Sequence, residues 1–350
     1  MIRRRILTVA LGLGLGLGAA AEAASVANLY RAIVPIADKS DAEVQRATAQ
    51  ALENVIVKLT GSSGAPRDGR ARALLAKAAR YESQFGFERP EGPGGPLALR
   101  VDFDQRALAQ ALRQQGLPVW GHQRPESLLW LVVTDANGRH IAGSDEYQPA
   151  LEAIQDRAQQ RGLPLVLPLQ DINETQLIAS EKTGPDLDQA LLTQSERYGA
   201  PAVLIGQITQ TPDQQWDARW TLKIEEESMD WKRHGETIEA VLADGVDVLG
   251  DALGRRYANV AQASGEVAAG ELTVEGVNTV EDYARALDYL RSVDAVSKVS
   301  VRRVLPGKVV FKLDAHGGLA AVAGAVQFGR VLLPLPGVAD AYQLAPREGQ

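Results

Sequence analysis

The chain has no cysteine, only four histidines in 350 residues, and an aromatic content of 5%. Without cysteine there are no disulfides, thiolate zinc ligands, cysteine nucleophile or lipid-bearing N-terminal cysteine. His122, His140, His234 and His316 are scattered, and none stands at metal-ligand spacing from another. The Gly-x-Ser-x-Gly nucleophile motif is missing, and Gly61-Ser62-Ser63-Gly64 has another spacing and reads as a loop before Pro66. No glycine-rich phosphate loop follows residue 23, since the alternation Gly12–Gly18 belongs to the N-terminal segment. No cofactor and no metal are therefore expected, and the inventory favours a non-enzymatic role. The remainder is ordinary: 45% hydrophobic and 23% charged residues suit folded domains rather than disorder. The length suggests two or three of them.

The N-terminus carries the most specific signal. Arg3, Arg4 and Arg5 precede an apolar run from Ile6 to about Ala21, and Ala21-Glu22-Ala23 offers small residues before Ala24. This is the layout of a secretory signal peptide, residues 1–23. A permanent membrane helix is the alternative, but the run falls short of about 20 spanning residues and holds Gly12, Gly14, Gly16 and Gly18. The expectation is a mature periplasmic protein beginning near Ala24, with no stable membrane anchor.

Charge is uneven. The whole chain carries −7, but residues 24–124 are net +4, residues 125–265 net −12 and residues 266–350 net −1. Nucleic acid is not expected as a partner, because phosphate binding needs clustered positive charge. The basic excess of the first region could favour anionic envelope polymers or contact with the acidic middle; scattered solvated charge is the plainer alternative.

Residues 24–124 read as a small α+β domain. Val26–Pro35 is an expected strand, followed by a helix from about Asp41 with Val44, Ala47, Ala51, Val55 and Leu59 on one stripe, ending at Gly61. A second helical stretch covers Arg70–Ala79, Pro90–Pro96 is a loop, Leu97–Phe103 a strand and Asp104–Gln115 a helix.

Residues 125–265 read as a three-layer α/β domain with an antiparallel extension. Leu128–Val133, Leu165–Leu169 and Ala202–Ile208 are apolar strands separated by helices at Tyr147–Gln160 and Asp186–Tyr198. Alternation at Trp216–Ile224, then Met229–Lys232 and Thr237–Leu242, predicts further strands before a helix from Val246. Residues 266–335 predict a ferredoxin-like β-α-β-β-α-β module: Glu271–Val277, a helix capped by Thr279, the hairpin Val296–Val304 and Lys308–Leu313, a helix at Gly318–Gln327 and a strand at Val331–Leu333. Residues 336–350 read as a flexible tail.

Several segments together resemble a known family. Leu29-Tyr30-Arg31-Ala32-Ile33-Val34-Pro35-Ile36-Ala37, the helix end at Thr60-Gly61, Gly116-Leu117-Pro118-Val119-Trp120-Gly121, Arg124-Pro125 and Leu129-Trp130-Leu131 look like an exported proteobacterial family defined as a domain of unknown function. The resemblance implies no catalytic residue. More distantly, Leu129–Val133, Leu165-Val166-Leu167-Pro168 and Tyr198–Gly206 are similar to the α/β domain of envelope lipoproteins, such as the curli secretion channel subunit and activators of penicillin-binding proteins. That likeness implies protein–protein contact, without the lipid-bearing cysteine.

Asp135, Gln170 and Gln207 follow or end apolar strands, where ligands of α/β sheets often bind. Asp135-Ala136-Asn137-Gly138 also suits an Asx turn without an ion. Trp120, between Pro118 and Gly121, either packs the first region on the second or forms an aromatic binding edge. Asp171, Glu174 and Glu181 could supply paired acids for glycoside cleavage, and Glu225-Glu226-Glu227 with Asp230 could hold a cation, although a solvated turn between strands is the simpler reading of that second group. The leading expectation is a periplasmic interaction protein with an envelope protein partner. Binding of a small envelope ligand near Asp135, Gln170 and Gln207 is the alternative.

Overall fold

The structure is a computed structural model that describes residues 23–26, 28–90, 95–136, 138–141, 147–180, 182–258, 267–293, 295–326 and 331–346. Residues 1–22 of the expected signal segment, the tip of the Pro90–Pro96 loop and Glu181 lie outside the described residues. Among the described residues the chain is mixed α/β, with nine α-helices and three sheets of three or more strands. No described helix is long and apolar enough to cross a membrane.

Strand β1 (Ala23–Ser25) pairs much later with β5 (Gln123–Pro125). Between them, β2 (Arg31–Pro35), β3 (Glu82–Glu88) and β4 (Ala98–Phe103) form an antiparallel sheet in the order β2-β4-β3. Helix α1 (Asp41–Thr60) begins where the Ser40 hydroxyl accepts the Glu43 N–H, and ends at Gly61 with φ 70°. Its stripe Ala47, Ala51, Leu52, Val55, Ile56 and Leu59 is buried in the same core as Ala32, Val34, Leu99 and Val101. Helix α2 (Gly69–Leu75) and α3 (Gln105–Gln114, capped by Asp104) complete this region. Strand β3 was not expected. In Glu-Ser-Gln-Phe-Gly-Phe-Glu only Phe85 and Phe87 are large and apolar, and both are exposed on this edge strand, so the pattern is too short to announce it.

The second sheet has the order β11-β10-β9-β6-β7, with short β8 also on β6. Its strands are β6 (Ser127–Asp135), β7 (Gly138–Ile141), β8 (Leu165–Val166), β9 (Ala202–Gln210), β10 (Trp216–Ile224) and β11 (Glu227–Gly235). β6 runs parallel to β8 and β9, and the other pairs are antiparallel. Helices α4 (Gln148–Arg161) and α7 (Ile238–Tyr257) cover one face with Leu151, Ile154, Val246 and Leu249. Helices α5 (Ile172–Ile178) and α6 (Gly184–Ser195) cover part of the other with Ile178, Leu187 and Leu191.

Two expectations in this region are corrected. The strand expected over Leu165–Leu169 shrinks to two residues and Leu169 is 77% exposed, because Pro168 has no N–H to continue a ladder. Thr237–Leu242 is not a strand: Thr237 caps α7, accepting the Ala240 N–H at 3.2 Å. The buried stripe Val241, Leu242, Gly245, Val246 and Leu249 already steps at helical spacing.

In the third sheet, β12 (Val267–Glu275), α8 (Val280–Ser292), β13 (Val296–Leu305), β14 (Lys308–His316), α9 (Gly318–Val326) and β15 (Leu332–Pro334) follow the expected element order. The expected loose tail is a further correction. Ala341–Leu344 form β16, which pairs parallel with β12 and antiparallel with β15, giving the order β13-β14-β12-β16-β15. Ala341, Tyr342 and Leu344 are buried there, too few apolar residues to stand out after a Pro- and Gly-rich turn.

The first two regions meet through a buried lock. Arg124 has no exposed surface, and its five N–H groups go to backbone carbonyls: Nε to Gly121 (3.0 Å), Nη1 to Arg161 and Gly162 (3.1 and 2.9 Å), Nη2 to Lys58 and Trp120 (2.7 and 3.1 Å). Arg161, 1% exposed, donates to the Gly61 carbonyl (2.8 Å), Asp251 (2.6 Å) and Asp247 (3.3 Å). Ser63 donates its N–H and hydroxyl to Asp251 at 2.8 and 2.7 Å. Gly61 and Gly254 bring two backbones into contact: a Cβ on Gly254 would sit 2.7 Å from the Gly61 Cα and carbonyl oxygen.

Candidate functional site: the uncovered polar face of the middle sheet

Strand alternation decides which side chains share a face. The register pairs Trp130 with Ile205, Val132 with Gln207 and Thr134 with Thr209, then Ile205 with Thr221, Gln207 with Arg219 and Thr209 with Asp217. On β11 the rows continue to Asp230, Lys232 and His234. This face is apolar under α5 and α6, where Leu128, Trp130, Val132, Val203 and Ile205 are buried. Beyond α6 it turns polar, and a groove of about 490 Å³ is lined by Gln207, Thr209, Arg219, Lys232, Arg233 and His234, among others.

At the inner end of the groove stands a buried polar network. Asp188 of α6 is nearly inaccessible and accepts from Gln207 Nε2 (2.6 Å), Arg219 Nη2 (3.1 Å) and the Thr221 hydroxyl (2.9 Å). Gln207 also closes the start of α6, its amide donating to the Gly184 carbonyl at 2.9 Å and accepting the Gly184 N–H at 3.0 Å. The Thr221 hydroxyl also stands 2.5 Å from Asp230, so its single proton serves one of the two carboxylates at a time. At the outer end, His234 lies 2.8 Å from Asp217 and 2.5 Å from the Gln215 side-chain oxygen. The opposite face of the same strands is apolar: Trp220 lies over Gly206 and Gly245, where a Cβ on either would strike its ring, and stacks on Trp231 at 6.1 Å.

The residues singled out from the sequence do not share one place. Asp135 belongs to the face of Leu129, Leu131 and Val133, toward α4, where it accepts from the Tyr147 hydroxyl. Gln207 is on the other face. Gln170 adopts φ 57° before α5 and donates its N–H to Glu174 at 2.6 Å. Trp120 is 3% exposed within the core, with the Arg124 guanidinium 4.2 Å from its ring centroid and its N–H on the Leu59 carbonyl. Asp135-Ala136-Asn137-Gly138 spans the β6–β7 hairpin turn; Asn137 lies outside the described residues.

Of the acidic groups considered for chemistry, Asp171, Glu174, Glu225 and Glu227 are held in structural pairs. Glu174 is completely buried and accepts from Arg197, Tyr198 and two backbone N–H groups, while Asp171 caps α5 and pairs with Arg197 at 2.6 Å. Hydrogen bonds from the Glu174 N–H and from Arg197 hold the Asp171 carboxyl below its usual range. Burial and the Glu174 contact push the Tyr198 hydroxyl up. Glu225 and Glu227 in the β10–β11 turn pair with Arg256, and Tyr257 donates to Glu225 at 3.1 Å. Among the described residues no cluster of three or more His, Asp or Glu is arranged to hold a metal. Sequence reasoning missed Asp188 and Arg219, although the period-2 pattern of Trp216–Ile224 already put Asp217, Arg219 and Thr221 on one face.

The family model described as "Domain of unknown function (DUF8605)" matches residues 23–121. The match takes in the first sheet and its helices and ends at Gly121, before the middle sheet begins. No curated protein matches the chain.

Proposed function

We propose that this chain is an exported cell-envelope protein that acts by binding a protein partner, with the uncovered face of β9, β10 and β11 as its docking surface. The observation that carries the reading is the abrupt change along that face, from apolar under α6 to a groove of mixed charge beside it. A solvated sheet wing with Gln207, Arg219, Lys232 and His234 in rows presents donors and acceptors at fixed spacing, as a specific polar interface requires. The pairing of Asp171, Glu174, Glu225 and Glu227 with arginines supports a non-enzymatic role, because those carboxylates are engaged in holding structure.

Export rests on the tripartite N-terminal segment. The same reading divides the chain into an α+β domain at 24–124, an α/β domain at 125–265 and a ferredoxin-like module from 266, the last enlarged by the strand β16. The likeness to exported proteobacterial proteins and to lipoprotein α/β domains belongs to this proposal and supports a contact role.

Site-specific photocrosslinking from positions 232 and 234 in intact envelopes tests the reading. One reproducible protein adduct should form with each probe and be lost in the double variant Arg219→Glu/Arg233→Glu at unchanged protein level. Absence of any reproducible adduct, or adducts indifferent to the charge reversal, would refute it. Small-ligand binding in the same 490 Å³ groove is the second reading, favoured by the buried Asp188–Gln207 pair at its inner end. It predicts a thermal shift with an envelope extract below protein size that Gln207→Ala removes.

A further inference from the structure

The middle sheet ends on one side at a strand edge unlike the other edges of the molecule. Exposed edges are usually blunted by shortness, bulges or proline. Among the described residues β2 has five residues and ends at Pro35, β7 has four, and β15 has three with Pro334. Strands β3 and β13 carry register shifts against their neighbours. Strand β11 has none of these devices. Its nine residues, Glu227–Gly235, pair with β10 without a shift, and on its other side it pairs with no described strand. Seven of the nine are exposed, so the outer row of backbone N–H and C=O groups stands open to a further strand.

A hollow flanks this edge on each face of the sheet. On the α7 side, Met229 stands in register with Leu222 and joins Ile224 and Ala252 around a space of about 280 Å³, with Arg255 and Arg256 also lining it. On the other side, Lys232 and His234 wall the groove of about 490 Å³. Positions 229 and 232 are three apart on one strand, so their side chains lie on opposite faces. A strand laid beside β11 alternates in the same way and sends a side chain into each hollow. We propose, building on the docking role of this face, that β11 receives an extended segment of the partner by strand addition. The segment carries an apolar residue opposite Met229 and, three residues away, an acidic one opposite Lys232. Main-chain hydrogen bonds supply affinity, and the two hollows select the sequence. Charge selects the acid. Lys232 stands opposite another cation, Arg219, in register, while Asp230 and Asp217 on either side are engaged by Arg219 with Thr221 and by His234. An acidic side chain across the open edge gives Lys232 a favourable cross-strand neighbour.

The test uses the full chain and a fluorescein-labelled peptide, Glu-Val-Glu-Val-Thr-Leu-Ser, read by fluorescence anisotropy. Laid antiparallel on β11, its second glutamate meets Lys232 and its leucine meets Met229. The peptide should bind below about 1 mM at low salt. Exchanging the second glutamate for lysine should weaken binding about fivefold, and the leucine for serine about tenfold or more. In an antiparallel ladder every second N–H points to the neighbouring strand, so N-methylation of one alternate set of peptide residues should abolish binding and of the other should spare it. Lys232→Glu should reverse the preference for glutamate over lysine, and Lys77→Glu, exposed in the first region, should leave it intact. No peptide binding, equal effects of the two N-methylated sets, or an unchanged preference in Lys232→Glu would overturn the proposal. Dimerisation of the protein alone that Lys232→Glu abolishes, without peptide binding, would assign the edge to a second copy and overturn it too. Envelope adducts from positions 232 and 234 together with equal effects of the two sets would keep the docking face and reject strand addition, so the two failures are told apart.

Discussion

The two seams of the first region differ in kind. Against the middle region, at Gly61, Arg124 and Arg161, backbones touch and guanidiniums are spent on carbonyls and carboxylates. Against the third region, at α3 and α8, the surfaces stand apart around a wide cleft at whose walls Arg106 and Arg291 are exposed. Both seams use arginine, yet burial decides what it does. A fully desolvated guanidinium must find all its partners inside the protein and so fixes two pieces of chain. An accessible one keeps its hydration, as Arg291 does beside Asp288 at 3.8 Å, and fixes little.

The sharpest way to break this contrast is to alter one residue on each side. Gly254→Ala places a methyl group against the Gly61 backbone and should cost about 3 kcal/mol or more in urea unfolding. Arg291→Ala at the open seam should stay within about 0.5 kcal/mol. Equal costs would erase the distinction. Next in size is Arg161→Met, which removes the charge from Asp247 and Asp251 and orphans the Gly61 carbonyl. Because both aspartates keep some solvent contact, the loss should be about 2–4 kcal/mol by the same measurement.

The smallest effect is on pH dependence. Burial, and then the nearby Arg124 charge, lowers Lys58 from 10.5 to about 8, although its Nζ donates to the Arg31 carbonyl at 2.8 Å. A lysine whose folded value is depressed binds fewer protons folded than unfolded between those limits. Stability should therefore rise between about pH 8 and 10.5, on the order of 2 kcal/mol, and Lys58→Met should flatten that rise. Denaturation midpoints across this range that are flat in the unmodified protein would contradict the burial of Lys58.

Much of the fold was legible because periodicity reports burial. α1, β4, α3, β6, β9, β10 and the β13–β14 hairpin lie close to where alternation and helical spacing put them. The misses share a cause. β3, β8 and β16 are short or at edges, so few of their residues bury an apolar side chain, and the pattern has little to show. The start of α7 was hidden differently, since Thr237–Leu242 alone is too short to separate a helical from a strand period.

The candidate site was less legible. Gln207 was visible as the polar residue near the end of an apolar strand, but its partners Asp188 and Arg219 lie 19 residues before it in α6 and opposite it across a ladder. Register also separates Asp135 from Gln207, and register is a property of paired strands that a single sequence does not display. Arg124 and Arg161 escaped notice for a related reason. A buried arginine looks like a surface one until the carbonyls that surround it are known.

Native-state hydrogen exchange of the protein tests the contrast between the seams most directly. The Ser63 N–H, bonded to Asp251, and the Trp120 N–H, bonded to the Leu59 carbonyl, should exchange as slowly as amides in the centres of β6 and β9, by global unfolding. Exchange of Ser63 and Trp120 orders of magnitude faster than those strands would mean that the closed seam opens on its own, and would contradict the account.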